Sequence, residues 1–276
     1  MSLETILVII GKEIRDVKRN RWFVMISILF MLLSISLSLL GLSGLGTFGV
    51  SGFGRTAASL LNLVLLIVPL MGLLLGAMSI VGEKEHGTLI TLLAQPVTVS
   101  EIFLGKYIGV ALAMIVTILL GFGMSGLVIA HYAGMEQIGD YLILVLFTIL
   151  LGLVYLSLGI FISVITKRHA TAIGVALLLW FIFMFLSDLG LMGTAVVLKL
   201  SAAKLFWLVL INPAQSFKLA VIGSLQKSLE VFGAAGAYAS ELFGDWLTSV
   251  LSLVLLVWIV TPSTLAYSFF RTKCVD

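Results

Sequence analysis

Charge is what this chain most lacks: Asp, Glu, Lys and Arg make up 11% of its 276 residues, while 61% are apolar and the mean hydropathy is +1.24. A soluble domain carries about a quarter charged residues, so a water-exposed globular fold is excluded and the balance describes a membrane protein. Cysteine is almost absent as well. The one thiol, Cys274, cannot close an internal disulfide or supply a metal cluster. The net charge of +3 is small, and no nucleic-acid partner is expected.

Catalytic patterns are missing too. A nucleotide-hydrolysing loop needs G-x-x-x-x-G-K-[ST], and no such string occurs, so any ATP-driven work needs a motor on another chain. Gly44, Gly46 and Gly49 match G-x-G-x-x-G, but they follow a membrane span rather than a strand, and the match is discarded. His86, His131 and His169 fall in three different connections, and no charged or His residue interrupts a span. An intramembrane metalloprotease or serine protease would need such residues at depth, and an ion-coupled carrier normally keeps one. A carrier or membrane enzyme is thus only a remote alternative. The ten Met residues are spread along the chain, with Met71, Met78, Met114 and Met124 in spans, where packing is the ordinary role. No metal site, catalytic residue or resident cofactor is expected.

Long uncharged runs are what the chain does have. Six reach the roughly 20 residues that cross a bilayer core: 23–42, 60–81, 107–130, 141–166, 170–187 and 246–270. They are continuous rather than alternating, which predicts helices and an all-α polytopic membrane protein, one membrane domain over 1–276. Eleven of the sixteen Lys and Arg residues fall on the face that holds the amino terminus, so both termini are expected in the cytoplasm. Before the first span, Leu3, Ile6, Leu7, Ile10, Ile14 and Val17 recur at helical spacing, with Lys12, Glu13, Arg15, Asp16, Lys18 and Arg19 on most of the other face. This predicts an amphipathic helix on the inner membrane surface, in contact with lipid. Gly72 and Gly76, Gly105 and Gly109, and the cluster Gly121, Gly123 and Gly126 mark places of close helix approach, within one chain or between two. Pro69 and Pro262 are expected to kink their spans.

Two connections are long. The outer one, 188–245, contains LFWLVLINP at Leu205 to Pro213 and FKLAVIGSLQKSLEVF at Phe217 to Phe232. Neither is long enough to cross, and both are expected as short helices on or dipping into the outer leaflet, a possible platform for another protein. The other is an elbow at 82–106, GEKEHGTLITLLAQPVTVSEIFLGK. Gly82 and Gly87 bracket a charged corner; Pro96 stops a short helix through Thr88, Leu89, Leu92 and Leu93; Thr98 with Glu101 forms a capping-box signal that opens the third span near Val99.

At these residues the chain resembles the ABC-2 membrane family of ABC-type exporter permeases. An acidic pair (Glu83, Glu85) precedes Gly87 and Thr88, then Leu92 and Leu93, then Pro96, then Gly105 and Lys106 opening the third span; Val99 and Ser100 stand where many members carry Ser-Arg. The resemblance spans the whole chain, and LINPAQSFKLA at Leu210 to Ala220 is similar to permeases of the nitrous oxide reductase maturation system. It implies an inner-membrane homodimer driven by a cytoplasmic ABC ATPase dimer that binds ATP and Mg. Glu83, Glu85, Gly87, Thr88, Leu89, Leu92, Leu93 and Pro96 would form the coupling site, and a periplasmic accessory protein would dock near Asn212, Pro213, Phe217 and Lys218. A lipid or drug exporter permease is the alternative.

Overall fold

The computed structural model describes residues 2–43, 50–133, 138–187, 189–190, 193, 201–226 and 233–275. The discarded glycine fingerprint at 44–49, and the end of the second outer segment, 227–232, lie outside them. Among the described residues every regular element is helical.

Helix α1 (Leu3–Arg19) starts where the Ser2 hydroxyl accepts the Thr5 N–H at 3.2 Å, with Glu4 in its first turn and Lys18 and Arg19 in its last, charges that suit both ends of the helix dipole. It ends at Asn20, whose backbone is extended and whose side-chain oxygen accepts the Phe23 N–H at the start of α2 (Arg21–Ser43). The buried stripe of α1 is Ile6, Ile9, Glu13 and Val17, which faces α5 (Val99–Ala133). This corrects the expected partition: Leu3 and Leu7 point away, and Glu13, placed by periodicity on the polar face, is buried.

At the centre, α3 (Val50–Glu85) packs along α6 (Ile138–Ile165). Their glycines make this possible: a Cβ on Gly72 would lie 2.9 Å from the Gly152 carbonyl oxygen, and one on Gly159 would lie 2.5 Å from that of Leu73. The Gly72 and Gly76 pair therefore serves a contact within one chain. Gly105 and Gly109 do the same for α1, Gly121 for Phe30 and Gly126 for Tyr141. Hydroxyls add lateral links, Tyr107 with Ser157 at 2.7 Å, Ser38 with Ser125, and Tyr141 donating to the Phe122 carbonyl at 2.6 Å. α7 (His169–Phe181) follows after a tight turn and passes into a π-helical turn, Ile182–Leu186.

Among the described residues, six single helices are long and apolar enough to cross a membrane: Arg21–Gly41, Gly54–Glu85, Val99–Tyr132, Ile138–Ile165, His169–Leu186 and Leu247–Thr272. The outer ones keep much apolar surface outward, which suits hydrocarbon surroundings. α3 continues through Pro69, and α11 (Leu247–Val275) through Pro262. Ser100 and Tyr267 hydroxyls meet at 2.7 Å, so the start of α5 and the end of α11, and with them both termini, lie at one end of the bundle.

The outer connection is folded back on itself. α8 (Ala202–Ile211) and α9 (Pro213–Gln226) are short helices that meet at a bend of 113°, the shape of a broken span or a re-entrant loop. Phe206 and Phe217 are fully buried, and α9 packs on α6 and α11. A further helix, α10 (Gly233–Phe243), packs on α8.

Candidate functional site: the elbow between the second and third spans

The last turn of α3 carries the charges. α3 runs through Gly82 to Glu85, and the chain turns only at Gly87, whose φ of +70° is a left-handed conformation that favours glycine. The expected flexible corner bracketed by two glycines is thus narrower: Gly82 is helical. α4 (Thr88–Leu93) follows, and its end is marked by the Gln95 N–H donating to the Leu92 carbonyl at 3.3 Å, one residue before Pro96. The capping box then forms as its sequence pattern requires. The Thr98 N–H donates to Glu101 Oε2 at 2.8 Å and the Glu101 N–H to Thr98 Oγ1 at 3.3 Å, while Glu101 Oε1 accepts the Ser2 N–H at 2.6 Å and ties in the chain start.

α4 is seated on the bundle. Leu89 is buried and Leu92 packs against the core, whereas Thr88, Thr91, Gln95 and Pro96 are exposed. The Leu89 side chain holds α4 to its own bundle, and Thr88, Thr91 and Gln95 face outward.

The acidic pair is also used internally. Glu83 Oε1 accepts from Lys106 Nζ at 2.8 Å and from Lys12, and Lys106 reaches Glu13 at 2.7 Å. Lys106 is only 2% exposed, so its charge is sustained by these two carboxylates. Burial opposes the charge on Lys12, but the bond to Glu83 and the nearby Glu13 outweigh it and hold its ammonium above the ordinary lysine range. Next, Lys84 Nζ donates to the carbonyls of Ser163 at 3.2 Å and Val164 at 2.5 Å, at the end of α6. Glu85 Oε2 accepts the backbone N–H of His169 at 2.7 Å, at the start of α7. Sequence reading assigned no site role to Lys12, Glu13, Lys84 and Lys106. The available signal was a lysine, Lys106, set inside the close-packing pair Gly105 and Gly109.

At the other end, the candidate docking residues do not form a surface. Asn212 Nδ2 donates to the Phe183 carbonyl in the π turn at 2.8 Å, and its Oδ1 accepts the Ala214 N–H at 2.8 Å, capping α9 with Pro213 in the first helical position. Asn212, Pro213 and Phe217 are buried, so a partner cannot reach them; they position the bend. Lys218 is half-buried beside a cavity of about 240 Å³ lined also by Asn62, Met184 and Gln215. Among the described residues, no group of three His, Cys, Asp or Glu side chains could hold a metal ion.

A six-span helical bundle with a helical elbow projecting between its second and third spans defines a class, and comparison bears on which. Residues 7–274 match the ABC-2 family transporter protein family. The chain belongs to that family. It is similar to the protein named probable ABC transporter permease protein NosY from Stutzerimonas stutzeri, with 34% identity over 268 residues covering 95% of this chain and 96% of that one. It is also similar to the protein of the same name from Pseudomonas aeruginosa, with 35% identity over 270 residues and the same coverage.

Proposed function

We propose that this chain is the permease subunit of an ABC transporter in which α4 couples the membrane bundle to a separate cytoplasmic ATPase dimer. The observation that carries this is the mounting of α4. It is a short helix seated by Leu89 on its own bundle, joined at both ends to long continuous helices, with Thr88, Thr91 and Gln95 outward at the end where both termini lie. A rigid lever of that kind transmits displacement, and exposed hydroxyl and amide groups give a partner a polar register. The chain would act as a homodimer in the inner membrane with both termini cytoplasmic, with ATP and Mg on the partner. The catalytic work would be done there. The similarity of LINPAQSFKLA at Leu210 to Ala220 to permeases of the nitrous oxide reductase maturation system supports a role in maturing that enzyme's copper centres, with a periplasmic accessory protein on the outer side.

The test is co-expression with the neighbouring genes and purification in lipid nanodiscs. An ATPase subunit is expected to be retained, and Thr88→Arg with Thr91→Arg should lower its retention about tenfold, as a loss of about 1.4 kcal/mol would. A parent chain that retains no ATPase overturns the proposal. For the pathway, deletion of the gene should leave nitrous oxide reductase short of copper, and normal copper loading would remove that part of the reading.

A further inference from the structure

Glu83, Lys84 and Glu85 are three consecutive residues in the last turn of α3, and each points about 100° from the next around the helix axis. Each therefore meets a different neighbour. Glu83 turns inward to Lys106 of α5 and Lys12 of α1. Lys84 lies against the last carbonyls of α6, and Glu85 against the first N–H of α7.

The signs are matched. A helix presents partial negative charge at its C-terminal carbonyls and partial positive charge at its N-terminal amides, so an ammonium on α6 and a carboxylate on α7 are each in the favourable place. The cap residue of α7, Arg168, makes no side-chain cap bond of its own, so the elbow supplies that group from 84 positions earlier in the chain. The turn between α6 and α7 is thereby held on both sides by adjacent residues. α7 is also the least buried of the six spans, and it packs mainly along α3, the helix that carries these three residues.

We propose that Glu83, Lys84 and Glu85 form a three-way clamp that carries displacement of α4 into α1 and α5, into α6 and into α7. This rests on reading α4 as the helix that meets the ATPase. The acidic pair is then the internal half of the coupling, made of positioning residues, while the motor-facing half is the outward side of α4. Charge-assisted hydrogen bonds suit the task, since they are short and directional. The exposed α7 is the span on which the clamp has most effect.

The experiment uses the full complex with its ATPase in nanodiscs. A bimane probe is placed at Leu189→Cys, an exposed position beyond the π turn at the far end of α7, in a Cys274→Ser background. MgATP is expected to change the probe's emission in this parent. Glu85→Ala or Lys84→Met should reduce that amplitude roughly fivefold or more with the ATPase still bound and hydrolysing. Glu85→Gln, which keeps a neutral acceptor for the His169 N–H, should recover part of it, a graded response that a merely space-filling role would not produce. Full amplitude in Glu85→Ala and Lys84→Met overturns the clamp, and so does a parent in which MgATP moves nothing at Leu189. The coupling reading fails separately: Thr88→Arg with Thr91→Arg would then leave both ATPase retention and signal intact.

Discussion

Replacing Gly76 by Ala adds one methyl group where α3 and α6 approach backbone to backbone. That Cβ would lie 2.5 Å from the Leu156 carbonyl oxygen, 2.7 Å from the Ile160 nitrogen and 2.9 Å from the Gly159 carbonyl carbon. All three are backbone atoms inside the 28-residue α6, so no rotamer change can relieve them. Ordinary contact begins near 3.4 Å, and α3 and α6 would have to separate locally by about 0.9 Å. A gap of that size forfeits about a quarter to a half of the dispersion energy of the atoms facing it. Overpacking typically costs about 1–3 kcal/mol, against a gain of up to about 1 kcal/mol from the better helix propensity of Ala. Gly123→Ala and Gly174→Ala are the controls, because a Cβ there meets nothing within 4 Å. Thermal unfolding in detergent should place Gly76→Ala below both, by about 2–4 °C for each kcal/mol. If Gly76→Ala melts with the controls, the close approach of α3 and α6, and the account of these glycines, is wrong.

Lys106→Met should destabilise by about 3–5 kcal/mol, because Glu13 and Glu83 lose their buried partner. Adding Glu13→Gln should restore part of this in the same melting assay. Asn212→Ala removes both the bond to the Phe183 carbonyl and the cap of α9, and should cost about 1–3 kcal/mol and speed proteolysis of the α8–α9 bend. Thr98→Ala should cost about 1 kcal/mol through the lost cap of α5, read by melting. The raised pKa of Lys12 means its stabilisation is complete below the unfolded lysine value and is lost only as pH rises through the folded one. The stability difference between the parent and Lys12→Met should therefore stay flat from about pH 6 to 9, measured in buffers of matched salt.

Much of the architecture was legible because hydrocarbon imposes a simple rule. Uncharged runs of membrane length must be helices, and all six named in the sequence lie within helices that qualify as candidate spans or their immediate extensions. Local chemistry was legible too. Pro96 ends the short helix, and Thr98 with Glu101 opens the next. What failed was partition between faces. Periodicity put Glu13 on the polar side of α1, because it cannot see Lys106, 93 positions away, waiting to receive it. For the same reason Asn212 and Phe217 read as part of short outer helices on which a partner could dock. Their burial depends on how α8 and α9 fold back onto the bundle.

By itself the sequence determined what belongs to each segment alone: which stretches are apolar enough to span, where helices start and stop, and the absence of any nucleotide-binding loop. These follow from local propensity and from the cost of exposing backbone or charge to lipid. Only the tertiary structure decided which partners the charged elbow has. Glu83, Lys84 and Glu85 look alike in sequence, as a solvated run. Each becomes specific only when α5, α6 and α7 bring an ammonium, a set of carbonyls and a helix N–H within hydrogen-bonding distance. Those distances are set by close packing of helices far apart in the chain, which no local pattern encodes.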